Sequence, residues 1–317
     1  MLICVVGPTA TGKTKMGVAL AKRFHGEVVS VDSMQIYRGM PIGTAAPTLE
    51  EMEGIPHHMI AVADPRESWS AAKYAAEADQ CVQDILSRGK TPVLVGGTGL
   101  WLDALLRGTE FAPGSQGETT RLSLQERLKN EGIAPLFAEL QTIDPVAAEK
   151  LHLKDEKRIL RALEVWYETG ETITAHDKKS RALPPKYEAA FIGLDFKNRE
   201  DLWRRIDARV DTMVSRGLLD EVNALLQNGI GADATALQAI GDKQFLAVAR
   251  GGSHRGGGHC GGKTPFPTIR QTPAHLVPPP RGHPLDLLGR NARFFFWLPK
   301  CDRISHRPRG RINPADE

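Results

Sequence analysis

Cysteine is scarce in this chain, and long apolar runs are absent from it. The four cysteines stand far apart among 317 residues, at positions 4, 81, 260 and 301. Because they lack the paired spacing of a disulfide framework, they favour a reducing compartment, the cytoplasm. No apolar run approaches the length of a membrane span, and no basic region precedes the apolar residues at the N-terminus. We therefore expect neither a membrane span nor a signal peptide.

Acidic residues are missing from a long stretch near the C-terminus, between Gly251 and Leu285. From Gly251 onward 11 Lys and Arg stand against 4 Asp and Glu, a net charge of +7, whereas the first 250 residues carry −4. The same part of the chain holds 10 of the 21 prolines. Such a change of composition marks a boundary near residue 250.

Short β-branched segments alternate with helical patterns over most of the first 250 residues. Helices are predicted over Lys13–His25, from a cap at Ser68 or Ser70 to Arg88, and over Arg199–Gln227. Strands are predicted at Leu2–Val6, Glu27–Val31, Thr91–Val95 and Ala189–Phe196. This alternation predicts an α/β fold, a P-loop NTPase-like parallel sheet flanked by helices.

Strand signals vanish between about Phe111 and Leu183, where two segments with helical spacing each begin at an Asp. This pattern predicts a helical insertion domain over residues 113–184. The α/β core would then comprise residues 1–112 and 185–250. The stretch KTPFPTIRQTPAHLVPPPRGHP within residues 251–317 shows neither a helix nor a strand period, and we expect residues 251–317 to form an aberrant, disordered tail.

The segment GPTATGKT follows the first predicted strand and opens a helix. This is the context in which the pattern G-x-x-x-x-G-K-[ST] forms a phosphate-binding loop. Backbone N–H groups and the helix N-terminus would cradle the phosphates, the lysine would add a full charge, and the threonine could ligate Mg²⁺. The residues predicted to bind the polyphosphate are Gly7, Pro8, Thr9, Ala10, Thr11, Gly12, Lys13 and Thr14.

The acidic residue near this loop follows the second predicted strand, at Asp32, whereas a P-loop hydrolase usually carries it at the end of a later apolar strand. That later strand ends here in Gly-Gly-Thr, with Thr98 able to bring a hydroxyl near the phosphates. A carboxylate beside a phosphate loop either helps to hold the metal or removes a proton from an attacking group. The residues alone leave both roles open, and a small-molecule kinase remains an alternative.

The order and spacing of several motifs resemble those of tRNA dimethylallyltransferases, also called isopentenyl tRNA transferases. The resemblance covers Leu2 to about Arg250. The DSMQIYRG and GGTG segments are more specific than a P-loop. The motifs are GPTATGKT, VDSMQIYRGMPIGTAAPT, HHMI followed by DP, VLVGGTGLW, DEKRILRALEVWYETG, RIDARVDTMVSRGLLDEV and TALQAIG.

This resemblance implies transfer of a dimethylallyl group from its diphosphate to the exocyclic amine of the adenine 3′ of the tRNA anticodon. By that resemblance Asp32 is the general base, and Thr98 hydrogen-bonds the oxygen of the leaving group. Lys13, Mg²⁺ bound by Thr14, and Arg209 stabilise the departing diphosphate. The implied enzyme is a monomer that acts on the anticodon stem-loop without a membrane. A catalytically impaired tRNA-binding remnant is the remaining alternative.

The resemblance also implies a set of residues that contact tRNA, spread over several segments. Arg158 and Arg161 are three residues apart, so they share a helix face suited to gripping a phosphate. The implied contacts are Asp32, Ser33, Met34, Gln35, Arg121, Lys157, Arg158, Ile159, Leu160, Arg161, Gln238, Gly241 and Lys243. Two residues depart from the family pattern: Trp101 stands in place of a Tyr, and Asp242 in place of an aromatic residue.

The tail departs from the family altogether, because the family continues with a basic helix rich in Lys and Arg. Read one base out of frame with permitted codons, however, the segment Pro267–Pro278 becomes RQYAKRQLTWF, which is typical of that helix. The tail is therefore interpreted as a frameshifted copy of the family's C-terminus. Its histidines and cysteines fit no standard zinc spacing.

The gene sequence tests this interpretation. We expect one extra nucleotide near the codons of Gly251 and Gly252, whose removal restores RQYAKRQLTWF. The measurement is an independent sequencing of the gene across these codons. An uninterrupted reading frame in that sequence would show that the tail is genuine.

Overall fold

The computed structural model describes residues 1–109, 118–182, 184–196, 198–231, 234–238 and 292–297, the last segment through its backbone pairing. The described strands are β1 (Leu2–Val6), β2 (Gly26–Val31), β3 (His57–His58), β4 (Thr91–Gly96), β5 (Ala189–Phe196) and β6 (Ala292–Trp297). The described helices are α1 (Lys13–Arg23), α2 (Leu49–Met52), α3 (Ala71–Ser87), α4 (Gly99–Arg107), α5 (Glu118–Glu131), α6 (Ile133–Ile143), α7 (Pro145–Ala148), α8 (Glu156–Thr169), α9 (Ile173–Ala182), α10 (Arg199–Ser215) and α11 (Leu218–Gln227).

The strands form one sheet in the order β3-β2-β4-β1-β5-β6. The first five are parallel to one another, and β6 runs antiparallel to β5. The predicted α/β fold with a parallel sheet and flanking helices is thus confirmed. Because β1, β2 and β4 point the same way, the segments that follow them meet at one edge of the sheet.

The central strands are mostly apolar because helices cover both faces of the sheet, and Glu27 and Ser30 of β2 are buried polar exceptions. One hydrophobic cluster includes Cys4, Val29 and Leu94, and it packs against α3 and α4. A second includes Val5, Val28 and Val95, and it packs against α1. The two clusters hold the sheet between layers of helices and fix the positions at which its strands end.

Local signals predicted the beginning of α1 and both ends of α3. Ser70 caps α3, with its Oγ accepting a hydrogen bond from the Lys73 N–H at 3.1 Å. The single helix predicted over Arg199–Gln227 is wrong, because α10 ends before Gly217 and α11 begins after it. Gly217 has a φ of 92°, a left-handed conformation that glycine adopts at little cost and that interrupts a helix.

Helices α5 to α9 share a hydrophobic cluster of their own. Leu136, Leu140, Ile159 and Leu163 are fully buried in it. A separate core supports the predicted helical insertion domain over residues 113–184, which stays a prediction. The predicted disordered tail did not anticipate β6, whose sequence ARFFFW is rich in aromatic residues that favour strands. The rest of residues 251–317 lies outside the described residues.

A buried carboxylate ties the start of β2 to its surroundings. The Glu27 side chain is 1% exposed, and it accepts hydrogen bonds from Arg88 at 2.5 and 2.9 Å, from Lys90 at 2.7 Å and from His58 at 2.7 Å. The hydrogen bond from Arg88, followed by those from Lys90 and His58, lowers the pKa of Glu27 far below its usual range against the effect of burial. This cluster joins β2, β3 and the turn before β4.

Replacing Glu27 tests the contribution of this cluster. We expect Glu27→Gln to lower the free energy of unfolding by about 3 kcal/mol at neutral pH, since it leaves Arg88 and Lys90 without their buried anion. Because the folded pKa is depressed, the contribution is present above the unfolded value of 4.5 and fades as the pH falls below it. Urea unfolding at pH 7 and pH 3 measures both effects.

Glu53→Gln is the matched control, because Glu53 forms an ion pair with Lys22 in which both side chains are about half exposed. We expect little change in its unfolding midpoint. A Glu27→Gln protein as stable as the parent at pH 7 would contradict a stabilising role for the cluster.

Candidate active site

A cavity of about 390 Å³ lies where β1, β2 and β4 end. Its walls come from the loop after β1, the segment after β2, the end of β4 and one face of α10. Cationic side chains outnumber acidic ones among the described lining residues. The cations are Lys13, Lys15, Arg205, Arg209 and Arg216, and the carboxylates are Asp32 and Glu51. Such a lining suits an anionic ligand.

The predicted phosphate loop has the backbone geometry that an anion site requires. Ala10 and Gly12 have positive φ values of 66° and 90°, and Thr11 Oγ1 donates to the Pro8 carbonyl at 2.8 Å. A Cβ atom on Gly7 would lie 2.3 Å from the Leu194 carbonyl oxygen, so no other residue fits there without movement. The left-handed conformation of Ala10 is strained for a residue with a side chain, which is common where a loop is shaped for a ligand. Thr9, Ala10, Gly12, Lys13 and Thr14 line the cavity.

Lys13 is the charge at the centre of this loop. Its Nζ donates to the carbonyl oxygens of Gly7 at 3.0 Å and Pro8 at 2.8 Å. Burial lowers the pKa of Lys13 to about 8, an effect that Asp32 opposes and Arg209 reinforces. An anion in the cavity would therefore stabilise the charged form of this side chain.

A second cation, Arg209, faces the loop from α10. Burial lowers its pKa from the usual value, while Asp32 and Glu51 act in the opposite direction. Arg205, Arg209 and Met213 follow one another at intervals of four residues, so they lie on the same face of α10. The role predicted for Arg209 is consistent with this position. The sequence did not lead us to predict Lys15, Arg205 or Arg216 as residues that line the cavity. The four-residue spacing of Arg205 and Arg209 could have indicated that both lie on one helix face.

Asp32 lies beyond the end of β2 and lines the same cavity. Its Oδ1 accepts hydrogen bonds from the N–H groups of Met34 at 2.9 Å and Gln35 at 3.4 Å. Among the described residues, none hydrogen-bonds to the other oxygen, Oδ2. The carboxylate is thus held by the turn that follows it and has an oxygen available towards the cavity.

Thr98 lies beside this turn, at the end of the neighbouring strand β4. Its Oγ1 accepts from the Ser33 N–H at 3.1 Å and donates to Ser33 Oγ at 3.4 Å. The strands approach closely here, because a Cβ atom on Gly96 would lie 2.0 Å from the Val31 carbonyl oxygen. Glycine at this position therefore lets the Thr98 segment contact the Asp32 turn. Thr98 itself is not among the described residues that line the cavity.

The substitution of Trp101 has a structural explanation. Its side chain is 5% exposed and stacks on Tyr74, with ring centroids 4.3 Å apart and planes 22° apart. The Tyr74 hydroxyl in turn donates to the Ser30 carbonyl at 2.8 Å. Trp101 is therefore part of the hydrophobic core that packs against β2.

The residues predicted to contact tRNA differ in how far their side chains are exposed to solvent. Arg121, Lys157 and Arg158 are exposed, and Arg161 donates to the buried Glu164 at 2.8 Å. The Ile159 side chain is wholly buried and that of Leu160 is partly buried against the same helical core, and their predicted contacts with tRNA stay predictions. The side chain of Gln238, and Gly241, Asp242 and Lys243 altogether, lie outside the described residues.

Gln35 serves the protein's own structure as well as the cavity. Its Oε1 accepts from Ser30 Oγ at 2.9 Å, and its Nε2 donates to the Ala45 carbonyl at 3.2 Å. These bonds connect β2 to the loop at residues 40–46. The predicted role of Gln35 in tRNA binding stays a prediction.

Known proteins show the same combination of motifs and fold. A family model described as IPP transferase matches residues 35–259. The tRNA dimethylallyltransferases of Thermomicrobium roseum and Caldanaerobacter subterraneus subsp. tengcongensis are each 43% identical to this chain. Their matches span 250 and 251 residues, 79% of this chain and 75% and 80% of those proteins.

The chain belongs to the tRNA dimethylallyltransferase family.

Solved structures of family members agree with this assignment. The tRNA isopentenylpyrophosphate transferase of Bacillus halodurans is 40% identical, with a TM-score of 0.56 over 80% of this chain and 78% of that one. The Staphylococcus epidermidis enzyme is 38% identical, with a TM-score of 0.55 over 80% and 82% of the two chains. A eukaryotic dimethylallyltransferase described as acting on tRNA is 32% identical, with a TM-score of 0.68 over 78% of this chain and 62% of that one.

None of the described helices is long and apolar enough to cross a bilayer. No group of three or more His, Cys, Asp or Glu side chains suited to a metal occurs in the part of the chain that the structure describes.

The lowered pKa of Lys13 makes diphosphate binding depend on pH. Below about pH 8 the free protein already carries the charge, whereas above it the ligand must bind together with a proton. The quantity to follow is the association constant of the parent for inorganic diphosphate divided by that of Lys13→Met. Above about pH 8 we expect this ratio to fall by up to about tenfold per pH unit. Calorimetric titrations of both proteins from pH 7 to 9.5 measure it, and taking the ratio cancels the ligand's own ionisation. A ratio that stays constant would contradict this view of Lys13.

Proposed function

We propose that this chain transfers a dimethylallyl group from dimethylallyl diphosphate to the exocyclic amine of the adenine 3′-adjacent to the tRNA anticodon. The observation that carries the proposal is the position of Asp32. Its carboxylate lines the same cavity as Lys13 and Arg209, and it opposes the lowering of their pKa values that burial causes. A base and a diphosphate cradle therefore share one site, and membership of the family supports the reaction.

The diphosphate of the donor fits the cationic side of the cavity. Backbone N–H groups of the loop, the N-terminus of α1 and the Lys13 ammonium would bind its oxygens. Arg209 would approach from α10 and stabilise the charge that grows on the leaving group. The dimethylallyl chain would extend to the apolar side, where Ile42 and Met213 line the wall.

Magnesium fits this donor set without a carboxylate cage. Mg²⁺ usually binds through one or two protein oxygens together with substrate phosphates and water. Thr14 lines the cavity at the start of α1, where its hydroxyl would hold the ion against the diphosphate. When bound, Mg²⁺ would neutralise part of the charge on the leaving group.

The reaction forms a bond between the adenine nitrogen and C1 of the dimethylallyl group and breaks the bond between C1 and the bridging oxygen. Inorganic diphosphate leaves with the electron pair, and the proton of the amine passes to Asp32. Asp32 Oδ2 is the acceptor, since Oδ1 is bound by Met34 and Gln35. Thr98 Oγ1 lies 3.4 Å from Ser33 Oγ, a weak contact, so its hydrogen can turn to the bridging oxygen.

The partner in this proposal is the anticodon stem-loop of tRNA, bound by a cytoplasmic monomer. An adenine stacked in its loop must leave the stack to reach Asp32. Ser33 and Met34 follow Asp32 in the chain and would contact the nucleotides on either side of the adenine. Lys157 and Arg158 lie exposed at the start of α8 and suit the phosphate backbone, as Arg121 does on α5.

Replacing Asp32 tests the proposal. We expect Asp32→Asn to reduce transfer of label from radiolabelled dimethylallyl diphosphate to unmodified tRNA by about a thousandfold, because the general base is lost. Its affinity for inorganic diphosphate should be at least that of the parent, since the cradle is intact and a carboxylate beside it has been neutralised. Label retained on tRNA and equilibrium binding of labelled diphosphate give the two measurements.

Glu51→Gln is the control, because Glu51 also lines the cavity with a carboxylate but lies on α2. We expect this variant to transfer label at a rate close to that of the parent. Equal loss of transfer and diphosphate binding in Asp32→Asn would instead assign Asp32 to the metal or the fold. Binding of tRNA by the parent without any transfer would identify a catalytically impaired remnant.

A further inference from the structure

The apolar side of the cavity is built by a short loop, residues 40–46, which we call the wall loop. Ile42, Ala45 and Ala46 of this loop line the cavity. They face a part of the site that the phosphate loop does not form. Whatever fixes the wall loop therefore controls the space left for the alkyl part of a bound diphosphate.

The wall loop is bound by a carboxylate from a distant part of the chain. Glu221, in the first turn of α11, accepts a hydrogen bond from the Ile42 N–H at Oε2 and from the Gly43 N–H at Oε1, both at 2.8 Å. Each of its oxygens thus binds one of two consecutive amides. Burial raises the pKa of Glu221 from its usual value, and these two hydrogen bonds oppose that effect.

The wall loop also needs such support because its backbone is strained. Ala45 has a φ of 45°, a left-handed conformation that is unfavourable for a residue with a side chain. The Gln35 amide donates to the Ala45 carbonyl at 3.2 Å, and Thr44 Oγ1 donates to the Met40 carbonyl at 2.6 Å. A strained conformation persists only where its surroundings hold it, and Glu221 supplies two of the hydrogen bonds that do so.

We propose that Glu221 is a positioning residue that sets the wall loop against the alkyl chain of a short allylic diphosphate. This inference rests on the proposed function. Glu221 contacts the backbone of the wall loop. It would therefore change the part of the binding free energy that comes from the alkyl group of the ligand. The diphosphate-dependent part belongs to Lys13, Arg209 and the loop after β1.

An acidic residue in the first turn of a helix has a simpler use, which is to stabilise the helix end. Asp220 lies in the same turn of α11 and is exposed, so it offers that effect without the loop contacts. If Glu221 acted only through its charge, its removal would have a different result from the one expected for a positioning residue. Removing a carboxylate near a cationic cavity would strengthen the binding of every diphosphate, with or without an alkyl chain.

The test compares two ligands on the full chain: dimethylallyl diphosphate and inorganic diphosphate. We expect Glu221→Gln to weaken binding of the allylic ligand about tenfold and to leave inorganic diphosphate nearly unchanged, because the amide cannot accept from both N–H groups. Glu221→Asp should have an intermediate effect, since it retains both oxygens on a shorter side chain. Asp220→Asn should leave the ratio of the two affinities unchanged.

Equilibrium binding of labelled ligands gives the ratio without requiring turnover. If the parent binds the allylic ligand more tightly than inorganic diphosphate but transfers nothing to tRNA, the proposed reaction fails while this inference is still tested. Equal changes for both ligands, or no change for either, would overturn the role of Glu221. If Glu221→Gln does not fold, as judged by urea unfolding, the ratio measured for Glu221→Asp decides.

Discussion

The site depends on a half-buried cation to which no carboxylate of the described residues is hydrogen-bonded. The Lys13 ammonium is held by two carbonyl oxygens at the end of β1, and its surroundings lower its pKa. Burying such a charge is costly unless an anion joins it. The loop after β1, the face of α10 and the Asp32 turn all converge on this point, and together they form a cavity that is stabilised by an anionic ligand.

The position of the carboxylate distinguishes this site from that of a P-loop hydrolase. The strand next to the phosphate loop, β4, ends in two glycines and Thr98, and the acidic residue comes from β2. The close approach of Gly96 to Val31 brings these two strand ends into contact. In the proposed function this carboxylate is the base beside the diphosphate, where an incoming amine would lose its proton. That arrangement suits alkyl transfer, in which the diphosphate is the leaving group.

Local features of the sequence predicted a large part of this structure. The phosphate loop, the strand before it and the Ser70 cap all depend on neighbouring residues, so short patterns were sufficient. The break at Gly217 was missed because isolated glycines also occur within helices, and His57–His58 is too short for any period to show. The contact of Glu221 with Ile42 joins residues 179 positions apart, which no local pattern reveals. Ile159 was assigned from a motif, whereas its burial is decided by the packing of the helices.

The central claim is that the bond broken is the one between carbon and oxygen, and the bridging oxygen of the donor tests it most directly. Dimethylallyl diphosphate labelled with ¹⁸O at that position would be incubated with the protein, Mg²⁺ and unmodified tRNA, and the products analysed by mass spectrometry. The account predicts that all of the ¹⁸O leaves with inorganic diphosphate while the tRNA gains the dimethylallyl group. Recovery of the ¹⁸O in dimethylallyl alcohol or its monophosphate, with phosphate transferred elsewhere, would contradict it.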